Sequence, residues 1–299
     1  MCLKMLSSNK NLVLLFPAIL INFMLCSVSL GNHQGNTMNM EHRPLQVVTS
    51  IKPLALIAKA ALGKRADVAY LQPANKPSHS FNLSLSDIDR LDQADLIILV
   101  GDDFEPNINK IVQKIASHKT LKLIDVVRKA TPKHLLLGGQ QFRIDPHVWL
   151  NPRHANSLAN AIQGSVGVSA QDIISQAEIK KLAEELKSVS QYAFISHHDV
   201  LGHFTEAFQL STGNSIRDGA GNQKGAKSQY KLRKDTSKGQ AYCVFVEPQY
   251  ADKDAAVMAK ALNLPIVMLD PLGAAQPLSK SGYRKFIDTL VMQFKACFV

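Results

Sequence analysis

Short apolar runs alternate with helical patterns along most of this 299-residue chain. The clearest run, residues 96–100, is unbroken Leu-Ile-Ile-Leu-Val, which is typical of a strand covered on both faces. Such strands belong to parallel sheets, whose neighbouring strands are joined by helices. A second set of strands and helices begins near Tyr192. The pattern therefore predicts an α/β protein with two lobes, each a mostly parallel sheet flanked by helices.

The length of the chain fits two modest cores better than one large core. We predict an N-terminal lobe over residues 46–165, a long bridging helix over 166–190 and a C-terminal lobe over 191–299. Open parallel sheets bind ligands beyond the carboxyl ends of their strands. Functional side chains are therefore expected just after strands, in a cleft between the lobes.

The first thirty residues predict a secretory signal peptide. Lys4 and Lys10 precede a short apolar run, and small residues follow it at positions 27–29. This run is shorter than the roughly 20 apolar residues of a membrane-spanning helix, so we favour cleavage near residues 29–31 over a membrane anchor. The polar residues 31–45 are predicted to form a flexible leader.

The cysteines predict one disulfide bond. Cys2 and Cys26 lie in the predicted signal peptide, which leaves Cys243 and Cys297 in the processed chain. An even pair in an exported protein is typical of a disulfide, and two separate buried thiols are the alternative.

Composition and charge exclude several classes of protein. With 46% hydrophobic and 19% charged residues, the chain fits neither a disordered nor a multi-span membrane protein. The formal charge of +10 falls to +8 when Lys4 and Lys10 are removed with the signal peptide. The basic residues are scattered and no nucleic-acid-binding module is recognisable, so nucleic acid is not a predicted partner.

Four polar residues follow predicted strands or lie in the loops beyond them: His79, His147, His198 and Asp270. Two come from each half of the chain, and three imidazoles with one carboxylate complete a four-coordinate set for Zn²⁺. Each residue alone could also be an ordinary hydrogen-bonded side chain, and Asp270 before Pro271 could be a turn residue. The residues by themselves therefore leave a metal site and an unrelated set of polar side chains as equal alternatives.

The sequences around these four residues resemble segments of the metal-binding receptors of ABC importers. The segments are His79 with Phe81 and residues 85–87, the run Asp-Pro-His-Val-Trp-Leu at 145–150, His198-Asp199 with Phe204, and Leu-Asp-Pro-Leu-Gly at 269–273. The run Cys-Val-Phe-Val-Glu-Pro-Gln at 243–249, together with Cys297, is similar to the zinc-specific, ZnuA-type branch of high-affinity zinc-uptake receptors. The resemblance extends over residues 47–299.

The resemblance implies a ligand set. His79, His147 and His198 would bind Zn²⁺ as neutral imidazoles, and Asp270 would be the fourth ligand or a nearby charge, with water as the alternative ligand. Three histidines favour zinc over manganese in this family. Glu247 would either support a ligand from behind or serve a structural role.

The resemblance also implies a function. We expect a periplasmic, non-catalytic, monomeric receptor that binds Zn²⁺ in the cleft between its lobes. It would deliver the ion to an inner-membrane ABC permease and its ATPase.

Two alternatives stay open. A manganese or iron receptor of the same family would need a ligand set richer in oxygen, which this sequence does not offer. A zinc hydrolase would use the same three histidines with water in the fourth position. The sequence contains no His-Glu-x-x-His motif, and Glu247 is the residue that could serve as a general base.

Overall fold

The computed structural model describes residues 43–76, 81–128, 145–236, 241–250 and 253–298. The predicted signal peptide and His79 lie outside these ranges. None of the helices found within them combines the length and the apolar character that a membrane crossing requires.

The first sheet is parallel throughout and has the strand order β2-β1-β3-β4. Ile98 in its third strand packs into the largest apolar core, while Ile97 and Leu99 pack into a second cluster on the opposite face. The strand predicted to be covered on both faces is therefore confirmed. The elements are β1 (Leu45–Thr49), α1 (Lys52–Leu62), β2 (Ala66–Tyr70), α2 (Leu85–Gln93), β3 (Leu96–Leu99), α3 (Pro106–Ile115), β4 (Thr120–Lys122) and α4 (Leu123–Val127).

The second sheet repeats the arrangement, with all pairings parallel and the strand order β6-β5-β7-β8. Its elements are β5 (Ile195–Ser196), α7 (Gly202–Phe208), β6 (Asn214–Ser215), α8 (Ala226–Thr236), β7 (Val244–Val246), α9 (Lys253–Leu262), β8 (Ile266–Met268) and α10 (Gly282–Lys295). Two parallel sheets flanked by helices confirm the predicted fold class.

Two helices connect the sheets, α5 (Pro152–Ser165) and α6 (Gln176–Leu186). Asn151 caps α5 by accepting a hydrogen bond from the backbone N–H of Arg153, and Pro152 occupies the first helical position. The single long helix predicted over residues 166–190 is not confirmed, because within that range the helix α6 begins only at Gln176 and is followed by a 3₁₀ turn at Lys187–Val189.

We call β1–β4 with α1–α5 the N-terminal lobe, and β5–β8 with α7–α10 the C-terminal lobe. The residue boundaries given above for the lobes remain predictions. One continuous core joins the two sheets, since Ile98 of β3 and Phe245 of β7 belong to the same cluster of buried side chains. Leu56 of α1, Leu272 after β8 and Phe286 of α10 belong to it as well. The lobes therefore share apolar packing as well as a chain connection.

The predicted disulfide is present between Cys243, just before β7, and Cys297, just after α10. The two Cα atoms are 5.5 Å apart and the residues are 54 positions apart in sequence. The bond ties the C-terminal end of the chain to a central strand of the second sheet.

Replacing both Cys243 and Cys297 by alanine should lower the free energy of unfolding by about 4 kcal/mol, because the unfolded chain then gains the freedom of an unclosed loop of this length. Urea unfolding followed by circular dichroism measures the change. Reducing agent should destabilise the natural chain to a similar extent and leave the double-alanine variant unaffected. Equal stability of the two proteins under oxidising conditions would contradict the expected contribution.

Candidate metal centre

Two of the predicted ligands meet between the lobes. His147 lies in the loop before α5, and His198 lies two residues beyond the end of β5. Their ring centroids are 4.9 Å apart, and the two residues are only 1% and 2% exposed. His79 falls in residues 77–80, outside the described ranges. Within those ranges, no three His, Cys, Asp or Glu side chains form a group that could hold a metal ion.

Asp145 fixes the orientation of His147. Its Oδ1 accepts hydrogen bonds from the backbone N–H of His147 (3.1 Å) and from the ring Nδ1–H (2.7 Å). His203 from α7 in turn donates from Nε2 to the Asp145 carbonyl oxygen at 2.9 Å. Trp149 packs edge-on against the His147 ring with a centroid distance of 5.3 Å. The ring is therefore held by a carboxylate on one nitrogen and by an aromatic wall.

Glu247 fixes the orientation of His198 from a position just after the neighbouring strand β7. Strand β5 pairs with β7, with Ser196 opposite Phe245, so the residues that follow the two strands are brought together. His198 donates from Nδ1 to Glu247 Oε1 at 2.8 Å, and Glu247 is only 4% exposed. Glu247 thus contacts a candidate ligand directly. The sequence had left a supporting role and a structural role open for this residue.

The role of Asp145 is not among those predicted from the sequence. Asp145 enters the sequence-based prediction only as the first residue of the run Asp-Pro-His-Val-Trp-Leu at 145–150. The signal that could have revealed the role is a carboxylate two residues before a candidate ligand, which is close enough to bond both its backbone and its ring.

The surroundings of the two rings shift their pKa values in opposite directions. Burial lowers the pKa of His147 well below its usual value, and the nearby His198 and His203 act in the same direction. For His198, burial also opposes protonation, but the charge and hydrogen bond of Glu247, with Asp145 and Asp199, raise the pKa above the usual value. A carboxylate can only accept, so Nδ1 carries the proton in both neutral rings and Nε2 carries the lone pair. Nε2 is then the atom through which each ring could bind a metal.

A small cavity lies against both rings. Its volume is about 10 Å³, close to the smallest space that holds one water-sized particle. A single metal ion or water molecule fits a space of this size, and an organic substrate does not. The lining residues are His147, Trp149, His198, Val200, Glu247, Gln249, Tyr250, Pro271 and Leu272.

Asp270 follows β8, as expected, and both oxygens of its carboxylate accept hydrogen bonds from neighbouring protein groups. Oδ1 accepts from the backbone N–H of Leu272 at 3.0 Å and from Gln249 Nε2 at 2.8 Å. Oδ2 accepts from the backbone N–H of Ala274 at 2.6 Å. Gln249, rather than Asp270, lines the small cavity.

His197, the neighbour of His198, belongs to a separate network. Its Nε2 lies 2.8 Å from Asp254 Oδ1 at the start of α9, and Arg217 donates from Nε to Asp254 Oδ2 at 2.8 Å. Tyr250 packs against both histidines, with centroid distances of 5.2 Å to His197 and 5.6 Å to His198. Only His198 of the adjacent pair lines the cavity.

Curated relatives cover most of the chain. The chain is 28% identical over 288 residues to the high-affinity zinc uptake system protein ZnuA of Haemophilus ducreyi, covering 84% of this chain and 92% of that protein. It is also 28% identical over 291 residues to the protein of the same name from Yersinia pestis, covering 84% of this chain and 90% of that one.

Solved structures share the fold. A zinc-bound ZnuA with residues 138–173 deleted superimposes with a TM-score of 0.67 at 21% identity, covering 83% of this chain and 97% of that one. The periplasmic zinc-binding protein TroA of Treponema pallidum gives a TM-score of 0.67 at 17% identity, covering 84% of this chain and 99% of that one.

The family match extends over both lobes. Residues 47–297 match the family described as zinc-uptake complex component A, periplasmic. This family consists of uptake components and not of enzymes, which confirms the resemblance derived from the sequence motifs and the non-catalytic interpretation. On the strength of a match that includes both sheets, the three candidate histidines and the disulfide, the chain belongs to the periplasmic zinc-uptake component A family.

Proposed function

We propose that this protein binds one Zn²⁺ between its lobes and delivers it to an ABC importer in the inner membrane. The observation that carries the proposal is the pair His147 and His198, which reach the same small cavity from opposite lobes. Each ring has a carboxylate bonded to Nδ1, which is the arrangement that orients metal-binding histidines and raises their basicity.

The proposed protein ligands are His79, His147 and His198, with nitrogen–zinc distances of about 2.0–2.1 Å. The fourth ligand is Asp270 or a water molecule. A set dominated by imidazole favours zinc over manganese, which prefers oxygen ligands. The small volume beside the two described rings supports a single ion as cargo.

The hydrolase alternative is disfavoured by the position of Glu247. A general base must reach the water that attacks the substrate. Glu247 instead bonds His198 Nδ1 at 2.8 Å and is almost fully buried. Its carboxylate thus orients a ligand rather than facing a substrate.

The cellular setting follows from family and sequence together. The family description is periplasmic, and residues 1–30 have the pattern of a cleaved signal peptide. We propose that the processed protein acts as a monomer and transfers its ion to a permease coupled to an ATPase. The relatives named as zinc uptake system proteins support zinc as the ion transported.

His147→Ala should lower the affinity for Zn²⁺ by more than about 100-fold, because it removes a direct ligand and leaves Asp145 without the ring it orients. Competitive titration of the purified protein with a zinc chelator near pH 7.5 measures the affinity and the stoichiometry. The matched control is His118→Ala, which removes an exposed histidine of a 3₁₀ turn. Wild-type zinc affinity in His147→Ala would remove this residue from the site.

Zinc affinity should fall by on the order of 30-fold from pH 6.5 to pH 5, because each competing proton costs up to about tenfold per pH unit below the pKa of its ligand. The raised pKa of His198 makes this ring the first to compete, and the decline should begin above pH 6.5. His147, whose pKa is lowered, should begin to compete at a more acidic pH than His198. Chelator titrations at several pH values measure the profile.

Glu247→Gln supplies the control for this profile. Removing the carboxylate charge should lower the pKa of His198, so the decline should begin at a more acidic pH while affinity at pH 7.5 is reduced through lost orientation. Equal affinity at pH 5 and pH 7.5 in the natural chain would exclude imidazole ligands.

A further inference from the structure

The turn after β8 is built around the Asp270 carboxylate. Both of its oxygens accept hydrogen bonds, two of them from backbone N–H groups of the same turn, at Leu272 and Ala274. Gly273 lies between these residues in the left-handed region, with φ 61°. A Cβ at this glycine would lie 2.7 Å from the ring of Phe286, so packing and hydrogen bonding fix one conformation of the turn.

Three hydrogen bonds join this turn and its partner Gln249 to the N-terminal lobe. Trp149 donates from its indole Nε1–H to the Pro271 carbonyl at 2.9 Å. Lys52, the first residue of α1, donates from Nζ to the Ala274 carbonyl at 2.6 Å. Gln249 donates from Nε2 to the Ala74 carbonyl at 3.0 Å. We call these three bonds, together with the Asp270 carboxylate, the inter-lobe cluster.

Gln249 links the cluster to the candidate metal centre. Its side-chain amide bonds Asp270 Oδ1 and the Ala74 carbonyl at once, while the residue also lines the cavity beside His147 and His198. Ala74 lies five positions before His79 in the sequence. A displacement of Gln249 would therefore disturb both the cavity wall and the contact with the backbone at Ala74.

The loss of any of these hydrogen bonds is costly because the donors are buried. The donors Trp149, Lys52 and Gln249 are 1%, 8% and 7% exposed, so water cannot readily replace a lost partner. An unpaired buried polar group costs more than a hydrogen bond contributes on average. Two of these bonds end on the turn itself, and the third is made by Gln249, whose side chain also bonds Asp270. The Asp270 turn therefore contributes to the relative position of the lobes.

We propose that Asp270 is a positioning residue at the centre of the inter-lobe cluster and acts through Gln249. The inference rests on the proposed function for its effect on zinc. A carboxylate that already accepts hydrogen bonds from Leu272, Ala274 and Gln249 is held in place as an acceptor for the protein.

The test compares Gln249→Ala, Asp270→Asn and the double variant with the natural chain. Zinc affinity is measured by chelator titration, and coordination is measured from the visible absorption of the Co²⁺-substituted proteins. Each single variant should weaken zinc binding by about tenfold or more, the range expected for residues that support ligands from behind. The double variant should bind no more weakly than the weaker single variant, because both changes break the same unit. The Co²⁺ spectra should match that of the natural chain.

Gln276→Ala is the matched control. Gln276 lies just beyond the same turn, but its side chain bonds Thr289 of its own lobe at 3.0 Å. This variant should keep natural zinc affinity. A changed Co²⁺ spectrum in Asp270→Asn, combined with natural affinity in Gln249→Ala, would make Asp270 a direct ligand and overturn the proposal.

Amide hydrogen exchange without metal separates this proposal from the proposed function. Exchange over residues 72–76 and 270–274 should be faster in Gln249→Ala than in the natural chain, and unchanged in Gln276→Ala. Unaltered exchange in Gln249→Ala would overturn the inter-lobe cluster. Failure of the natural chain to bind zinc would instead overturn the proposed function, while accelerated exchange would still support the cluster.

Discussion

The candidate centre depends on the apolar packing that joins the two sheets. Side chains from β3 and β7 belong to one continuous core, and Trp149 lies within it at the point where the N-terminal lobe meets the turn after β8. Because protein interiors pack as densely as crystals, shared side chains leave little freedom for one sheet to move independently of the other. Two histidines that are 51 positions apart in sequence can therefore be held with their rings in contact.

Burial gives these histidines their chemical character. A buried imidazole loses hydration, which favours the neutral form that binds metals. The carboxylates of Asp145 and Glu247 select the tautomers of the two rings from opposite lobes. Burial dominates the pKa of His147, whereas the charge and hydrogen bond of Glu247 raise the pKa of His198. The hydrogen bonds between these rings and carboxylates largely offset the cost of burying the polar groups and add little net stability. Their value here lies in the orientation of the rings.

Parallel strand order explains why the polar residues of the C-terminal lobe converge. His198 comes shortly after β5, Glu247 after β7 and Asp270 after β8. These three strands are successive neighbours in the second sheet. The carboxyl ends of parallel strands lie along one edge of a sheet, so these side chains fall side by side. Their distances then decide their roles: Glu247 reaches His198, whereas Asp270 reaches the backbone of its own turn and Gln249.

The amino-acid sequence by itself determined the parallel α/β class, the cysteine pair and the candidate histidines, because apolar periodicity and short motifs are local properties of the chain. It did not reveal α5, whose many polar and small residues become helical through the Asn151 cap and through packing of Leu158 and Ile162 in the core. Only the tertiary structure decided which carboxylate meets which imidazole and what Asp270 contacts. Those partners lie far apart in the chain, 49 positions for His198 and Glu247 and 175 for Gln249 and Ala74, and only packing brings them within hydrogen-bonding distance.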